Sequence, residues 1–93
     1  MDVISTIRSN RGAIRRRFGV RRIGVFGSYA RGEEKTSSDV DVLVDFKEPT
    51  FEHFMGLVFF LEDLLGRPVD LVTVKALSPH IAPTVKKEVV WCE

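Results

Sequence analysis

Four places in this 93-residue chain carry groups that could do chemistry together: Gly27-Ser28, Asp39, Asp41 and Asp70. The first three lie in one stretch, "GVFGSYARGEEKTSSDVDVLVDF", residues 24–46. Carboxylates are costly inside strands that bury a face, so an Asp-x-Asp pair opening an apolar run asks for a compensating partner. Three such groups at one sheet edge repel one another unless cations neutralise them. Their oxygen-only donor set suits Mg²⁺ or Mn²⁺ rather than Zn²⁺. Gly27-Ser28 has a complementary logic. Glycine lets backbone approach a ligand closely, and a helical turn after Ser28 offers N–H groups to a phosphate. The pattern is neither a Walker loop, since no GK[ST] follows, nor a G-x-G-x-x-G fingerprint. Phosphate held beside divalent cations is the chemistry these residues suit.

The surrounding periodicities supply the elements that must position them. Val3, Ile4, Ile7, Ile14 and Phe18 predict one amphipathic helix from residue 2 to about 17, ended by Gly19. "VRRIGVF" (20–26) reads as a first strand, "SYARGE" as a short helical turn, and "DVDVLVDF" (39–46) as an alternating second strand. Phe51, Phe54, Met55, Val58, Leu61 and Leu65 fall at helical spacing over 51–65, closed by Gly66 and Pro68. "VDLVTV" (69–74) is a third strand. Ser78-Pro79 resembles a helix start, with Pro83 straining the helix beyond it. The tail "EVVWCE" adds a short extended piece. A helix between strands two and three favours a parallel pair. An antiparallel first pair would then gather Gly27-Ser28, Asp39, Asp41 and Asp70 at one edge. Asp39 and Asp41 would share a face roughly 6.5–7 Å apart, with Asp70 on a neighbour about 4.8 Å away. Asp45 shares that face about 13 Å further along and is left out of the site.

Ninety-three residues make one domain, 1–93, with a modest core. Cys92 is the single cysteine, which excludes an internal disulfide and a cysteine-built zinc site. His53 and His80 lack metal-ligand spacing. No run is apolar and long enough for a membrane span, and the N-terminus lacks a signal-peptide pattern, so a cytoplasmic protein is expected. The net charge of +1 hides an asymmetry: eight arginines and no acid lie between Val3 and Gly32. That run is either a solvated helix face or a basic surface for a polyanion or acidic partner. "FMGLVFFLEDLL" is more apolar than one buried stripe needs, which suits a homodimer or a partner-docking face.

"GSYARGEEKTSSDVDVLV" resembles the Gly-Ser…Asp-x-Asp signature of the DNA polymerase beta-like nucleotidyltransferases. More narrowly, it resembles the minimal nucleotidyltransferases that accompany HEPN-domain toxins. The likeness runs from the first helix to "VDLVTV" and the L-x-P before the last helix, and it implies the α/β (α+β) nucleotidyltransferase fold, a small mixed three-stranded sheet flanked by helices. It further implies that Ser28, with the backbone at Gly27, holds the outer phosphates of a nucleoside triphosphate. Asp39 and Asp41 would ligate two Mg²⁺ (or Mn²⁺) ions, and Asp70 would ligate the catalytic metal and help activate an acceptor hydroxyl. Arg31 falls on the family's arginine, with two readings: neutralising triphosphate charge, or pairing with a loop acid. Ser38 would fix Asp39 by a local hydrogen bond. The implied reaction moves AMP from ATP to a hydroxyl, with a HEPN-domain protein as acceptor and no DNA template.

Two function classes follow. One is a Mg²⁺-dependent nucleotidyltransferase acting as antitoxin. The other is a non-catalytic binding module that neutralises a partner by occlusion. The full set of Ser28, Asp39, Asp41 and Asp70 favours the enzyme, since occlusion does not require it.

Overall fold

Asp2 opens the first helix, its carboxylate accepting the N–H groups of Ile4 and Ser5 at 3.1 and 3.4 Å. The computed structural model describes residues 2–93. Helix α1 (Val3–Ser9) ends at Asn10, whose side-chain amide donates to the Thr6 carbonyl at 2.8 Å. The Asn10 carbonyl then accepts from Ile14 N–H and starts α2 (Arg11–Phe18). The single helix expected over residues 2–17 is therefore two. Asparagine competes for local backbone groups, and here it turns the chain between two apolar pairs. Val3 and Ile7 enter the core from α1, and Ile14 and Phe18 enter it from α2.

Gly19 ends α2 in the left-handed region (φ 60°) and leads into β1 (Val20–Phe26). After the single-turn α3 (Ser28–Arg31) and a polar loop comes β2 (Val40–Phe46). The two strands run antiparallel. Helix α4 (Phe51–Leu65) is capped by the Thr50 hydroxyl, which accepts His53 N–H at 3.1 Å, and is closed by Gly66. It carries the chain to β3 (Val69–Thr73), parallel to β2 as expected from a helical crossover. A 3₁₀ turn, Val74–Ala76, follows.

On β2, Val40, Val42, Val44 and Phe46 are buried beneath the helices, while Asp41, Leu43 and Asp45 alternate onto the other face. Leu57, Leu61 and Leu65 of α4 complete the core. A Cβ on Gly56 would lie 3.0 Å from the Phe18 ring, so a glycine lets α4 approach α2 closely. Of the expected apolar stripe of α4, Phe54, Val58, Leu61 and Leu65 meet the core, whereas Phe51 at its start is 79% exposed; Phe59, outside the stripe, is 63% exposed. Phe59 and Phe60 line an open depression of about 630 Å³ with Phe18 and Gly56.

The tail adds a fourth strand to the three expected. Val90–Trp91 (β4) pairs antiparallel with β1, giving the order β3-β2-β1-β4. Gly24 makes this pairing possible, because a Cβ there would stand 2.9 Å from the Val90 carbonyl. Before it, α5 (Ala82–Glu88) starts four residues later than Ser78. Ser78 instead closes a turn, its carbonyl accepting from Ile81 and Ala82 N–H. Pro83 thus occupies the first helical turn, where no N–H partner exists to lose, and the expected strain is relieved. No helix among the described residues is long and apolar enough to cross a membrane.

Cys92 is 1% exposed, and burial pushes its thiol up from 9.0 to about 11. A thiol that ionises more readily in the unfolded chain favours unfolding as pH rises past the unfolded value. The stability advantage of wild type over Cys92→Ala is thus expected to be constant below about pH 9 and to shrink steadily towards about pH 11. Urea unfolding of both proteins across that window measures it. An advantage that grows with pH would refute a buried neutral thiol.

Candidate active site

Backbone pairing brings the acidic residues to one edge of the sheet. Asp41 is the partner of Phe26 on β1 and of Asp70 on β3. Gly27 follows Phe26 directly, and Asp39 precedes the first residue of β2. The Val40 N–H donates to the Pro68 carbonyl at 3.0 Å, which ties the start of β2 to the approach to β3. The four positions expected to converge do so.

Asp41 is half-buried, whereas Asp39 and Asp70 are exposed. Burial raises the Asp41 carboxyl above its ordinary value, and the negative charges of Asp70 and Asp39 raise it further, with Arg31 opposing. Gly27 explains how Asp41 is held. It adopts φ 72° and ψ −151°, and a Cβ there would fall 2.1 Å from Oδ2 of Asp41. The carboxylate therefore lies against bare backbone, a fit no other residue permits.

Gly27 also organises the turn beyond it. Its carbonyl accepts the N–H groups of Ala30 and Arg31 at 3.1 Å each, closing α3 around Ser28. Its own N–H donates to Oε1 of Glu88 at 2.7 Å, so that group serves the fold rather than facing an empty cleft. This narrows the expected phosphate cradle to Ser28 and the peptide beyond it. Arg31 pairs with Glu33 at 2.5 Å and with Glu88 at 3.2 Å. The loop-acid reading of Arg31 thus describes its contacts in this structure. Ser38 does not reach Asp39: its hydroxyl accepts Lys35 N–H at 2.8 Å and closes the loop, because a four-residue turn satisfies it first. Asp45 pairs with Arg21 at 3.5 Å, apart from the site.

Three contacts had no signal in the sequence. Glu88 reaches Gly27 across 61 residues from a helix whose spacing marks no special acid. Arg67 hydrogen-bonds the Tyr29 hydroxyl and lies 5.6 Å from its ring centre, joining the turn after Ser28 to the segment before Asp70. Glu62 of α4 accepts Val69 N–H at 3.0 Å and starts β3.

Among the described residues, no three His, Cys, Asp or Glu side chains gather into a ready-made metal site. The donor chemistry nonetheless fits hard divalent cations. The oxygens come from adjacent strands, and burial together with negative neighbours raises one of the carboxyls, a state that a bound cation would relieve.

A sequence profile for the nucleotidyltransferase domain matches residues 7–92. The chain belongs to the nucleotidyltransferase family. Within this family it is similar to the protein adenylyltransferase MntA of Thermococcus cleftensis, with 52% identity over 91 residues, covering 97% of this chain and 92% of that one. A solved structure provisionally described as a minimal nucleotidyltransferase is 40% identical, with a TM-score of 0.77 over 94% of this chain and 93% of that chain. The fold is also that of the MNT antitoxin solved in complex with the tri-AMPylated HEPN toxin of Shewanella oneidensis. There the TM-score is 0.68 at 20% identity, covering 100% of this chain and 72% of the other. This nucleotidyltransferase is thus a minimal one by sequence and by fold.

Proposed function

We propose that this nucleotidyltransferase transfers AMP from ATP to a hydroxyl of a HEPN-domain protein in the cytoplasm, and so acts as its antitoxin. The observation that carries the reading is the seating of Asp41: against the Gly27 backbone on one side and in register with Asp70 on the other. Homology to a named protein adenylyltransferase and the fold shared with a toxin-bound antitoxin support the acceptor class.

Asp39, Asp41 and Asp70 would hold two divalent ions, Mg²⁺ or Mn²⁺. When bound, such ions neutralise triphosphate charge and stabilise the attacking and leaving oxygens of an in-line displacement. The chain's own groups do the rest. Ser28 and the turn around it orient the outer phosphates, and Arg31 can turn from its exposed ion pairs to offset their charge. Asp70, exposed at the sheet edge, is placed to accept the proton of the incoming hydroxyl. A bond forms between that oxygen and the α-phosphorus, the bond to the bridging oxygen breaks, and pyrophosphate leaves. The exposed arginines of α1 and α2 form a basic face suited to docking an acidic partner, a contact that weakens with salt.

The test uses ATP, Mg²⁺ and the cognate HEPN protein, with mass spectrometry of the latter. Wild type is expected to add AMP, and Asp70→Asn to slow transfer by about a hundredfold or more while keeping ATP binding. Absence of added AMP, combined with full toxin neutralisation by aspartate variants, would replace the enzyme with an occluding antitoxin.

A further inference from the structure

Glycine has the widest backbone freedom of any residue, so a glycine that must sit against a reactive carboxylate needs external restraint. Gly27 receives it from the far end of the chain. Glu88, the last residue of α5, accepts the Gly27 N–H through Oε1 at 2.7 Å. Both oxygens of the same carboxylate lie 3.2 Å from Nη1 of Arg31. Its side chain is 21% exposed, against 48% for Arg31, so the acid is the more enclosed member of the pair.

The location is costly for an acid. Glu88 adds a negative charge to a neighbourhood that already holds Asp39, Asp41 and Asp70, and it contributes to raising the Asp41 carboxyl. A neutral acceptor would close the same backbone contact without that repulsion. What a carboxylate adds is two charge-assisted bonds at once, one to the peptide that Asp41 leans on and one to Arg31. With the Gly27 carbonyl held by Ala30 and Arg31 N–H, the peptide groups on both sides of Gly27 are pinned. The orientation of Ser28 and the seat of Asp41 are thereby set by α5.

We infer that Glu88 is a positioning residue for nucleotidyl transfer, fixing the Gly27-Ser28 turn relative to Asp41. The inference rests on this edge of the sheet being the place of transfer. It assigns no metal to Glu88. Small misplacements of reacting groups lower turnover far more than they weaken binding.

Amide exchange of Gly27 in the free chain, measured by NMR, reads the contact directly. AMP transfer to the HEPN partner with ATP and Mg²⁺ reads its consequence. Glu88→Ala is expected to speed Gly27 exchange about tenfold or more and to lower kcat about 10- to 100-fold, with KM for ATP changed only a few-fold. Glu88→Gln keeps an oxygen acceptor and is expected to recover most of the protection and of kcat. It also carries the test should the alanine variant not fold. Wild-type kcat in Glu88→Ala, or a folded Glu88→Gln that retains protection yet loses kcat, overturns the positioning role. A wild type inactive towards its partner sinks the transfer reading and this role with it. An active wild type beside an unimpaired Glu88→Ala sinks only the role of Glu88.

Discussion

Mg²⁺ with ATP is expected to raise the melting temperature of the wild-type chain, and Asp39→Asn combined with Asp41→Asn is expected to abolish that rise. A ligand at a hundred times its dissociation constant stabilises the native state by about 2.7 kcal/mol. For a chain of this size each kcal/mol shifts the melting temperature by roughly 4–8 °C, so the difference is about 10–20 °C. AMP transfer is expected to fall by a factor of about 10² or more, as when groups that stabilise developing charge are removed elsewhere. The unliganded double variant is expected to melt no lower than wild type. Asp41 is half-buried among negative charges that raise its carboxyl, so its ionised form opposes folding at neutral pH, and asparagine removes that opposition. Thermal melts with and without Mg²⁺-ATP decide the matter. A double variant that responds like wild type would place the nucleotide site elsewhere on the chain.

Gly27→Ala carries the second large effect. The new Cβ would meet Oδ2 of Asp41 at 2.1 Å and its Cγ at 3.0 Å, while the backbone keeps φ 72°. Either Asp41 leaves its seat or the turn unwinds, and both separate Ser28 from the carboxylates. Transfer is expected to fall about a hundredfold, with a stability loss of roughly 1–3 kcal/mol. Gly32→Ala is the matched control. Gly32 has nearly the same φ, 71°, yet a Cβ there would meet nothing within 4 Å. It thus bears the backbone strain alone, about 1 kcal/mol, and its activity is expected to stay near that of wild type. Equal activity loss in the two variants would show that strain, rather than the close approach to Asp41, is what matters at Gly27.

The contrast between these two glycines marks how far the sequence reaches. Both sit beside α3 in a turn-rich segment, and local pattern marks each as a turn residue. Only the packed structure shows that one of them faces a carboxylate. The strands of the site were legible because their signal is local. In "DVDVLVDF" the alternation of two places Val40, Val42 and Val44 on the buried face, and thereby Asp41 on the other. Helix α4 was legible for the same reason, bounded by Thr50 and Gly66. The family signature joined Gly27-Ser28 to Asp39 and Asp41, and the connecting helix pointed to the parallel neighbour that carries Asp70.

What tertiary structure decided has no local period. Asn10 breaks a helix whose apolar spacing continues on either side, because both halves find the same core from different angles. Val90–Trp91 becomes a strand only because the edge of β1 is open and Gly24 admits it; two residues are too few to show alternation. Glu88 reads as one acid at a helix end, and its meaning arises from the Gly27 N–H that folding brings to it from 61 residues away. Residue types and short spacings therefore determined which groups this protein could use and which strands carry them. The pairing of strands and the docking of α5 decided which backbone and which charges surround them, since those contacts depend on surfaces that exist only once the chain has packed.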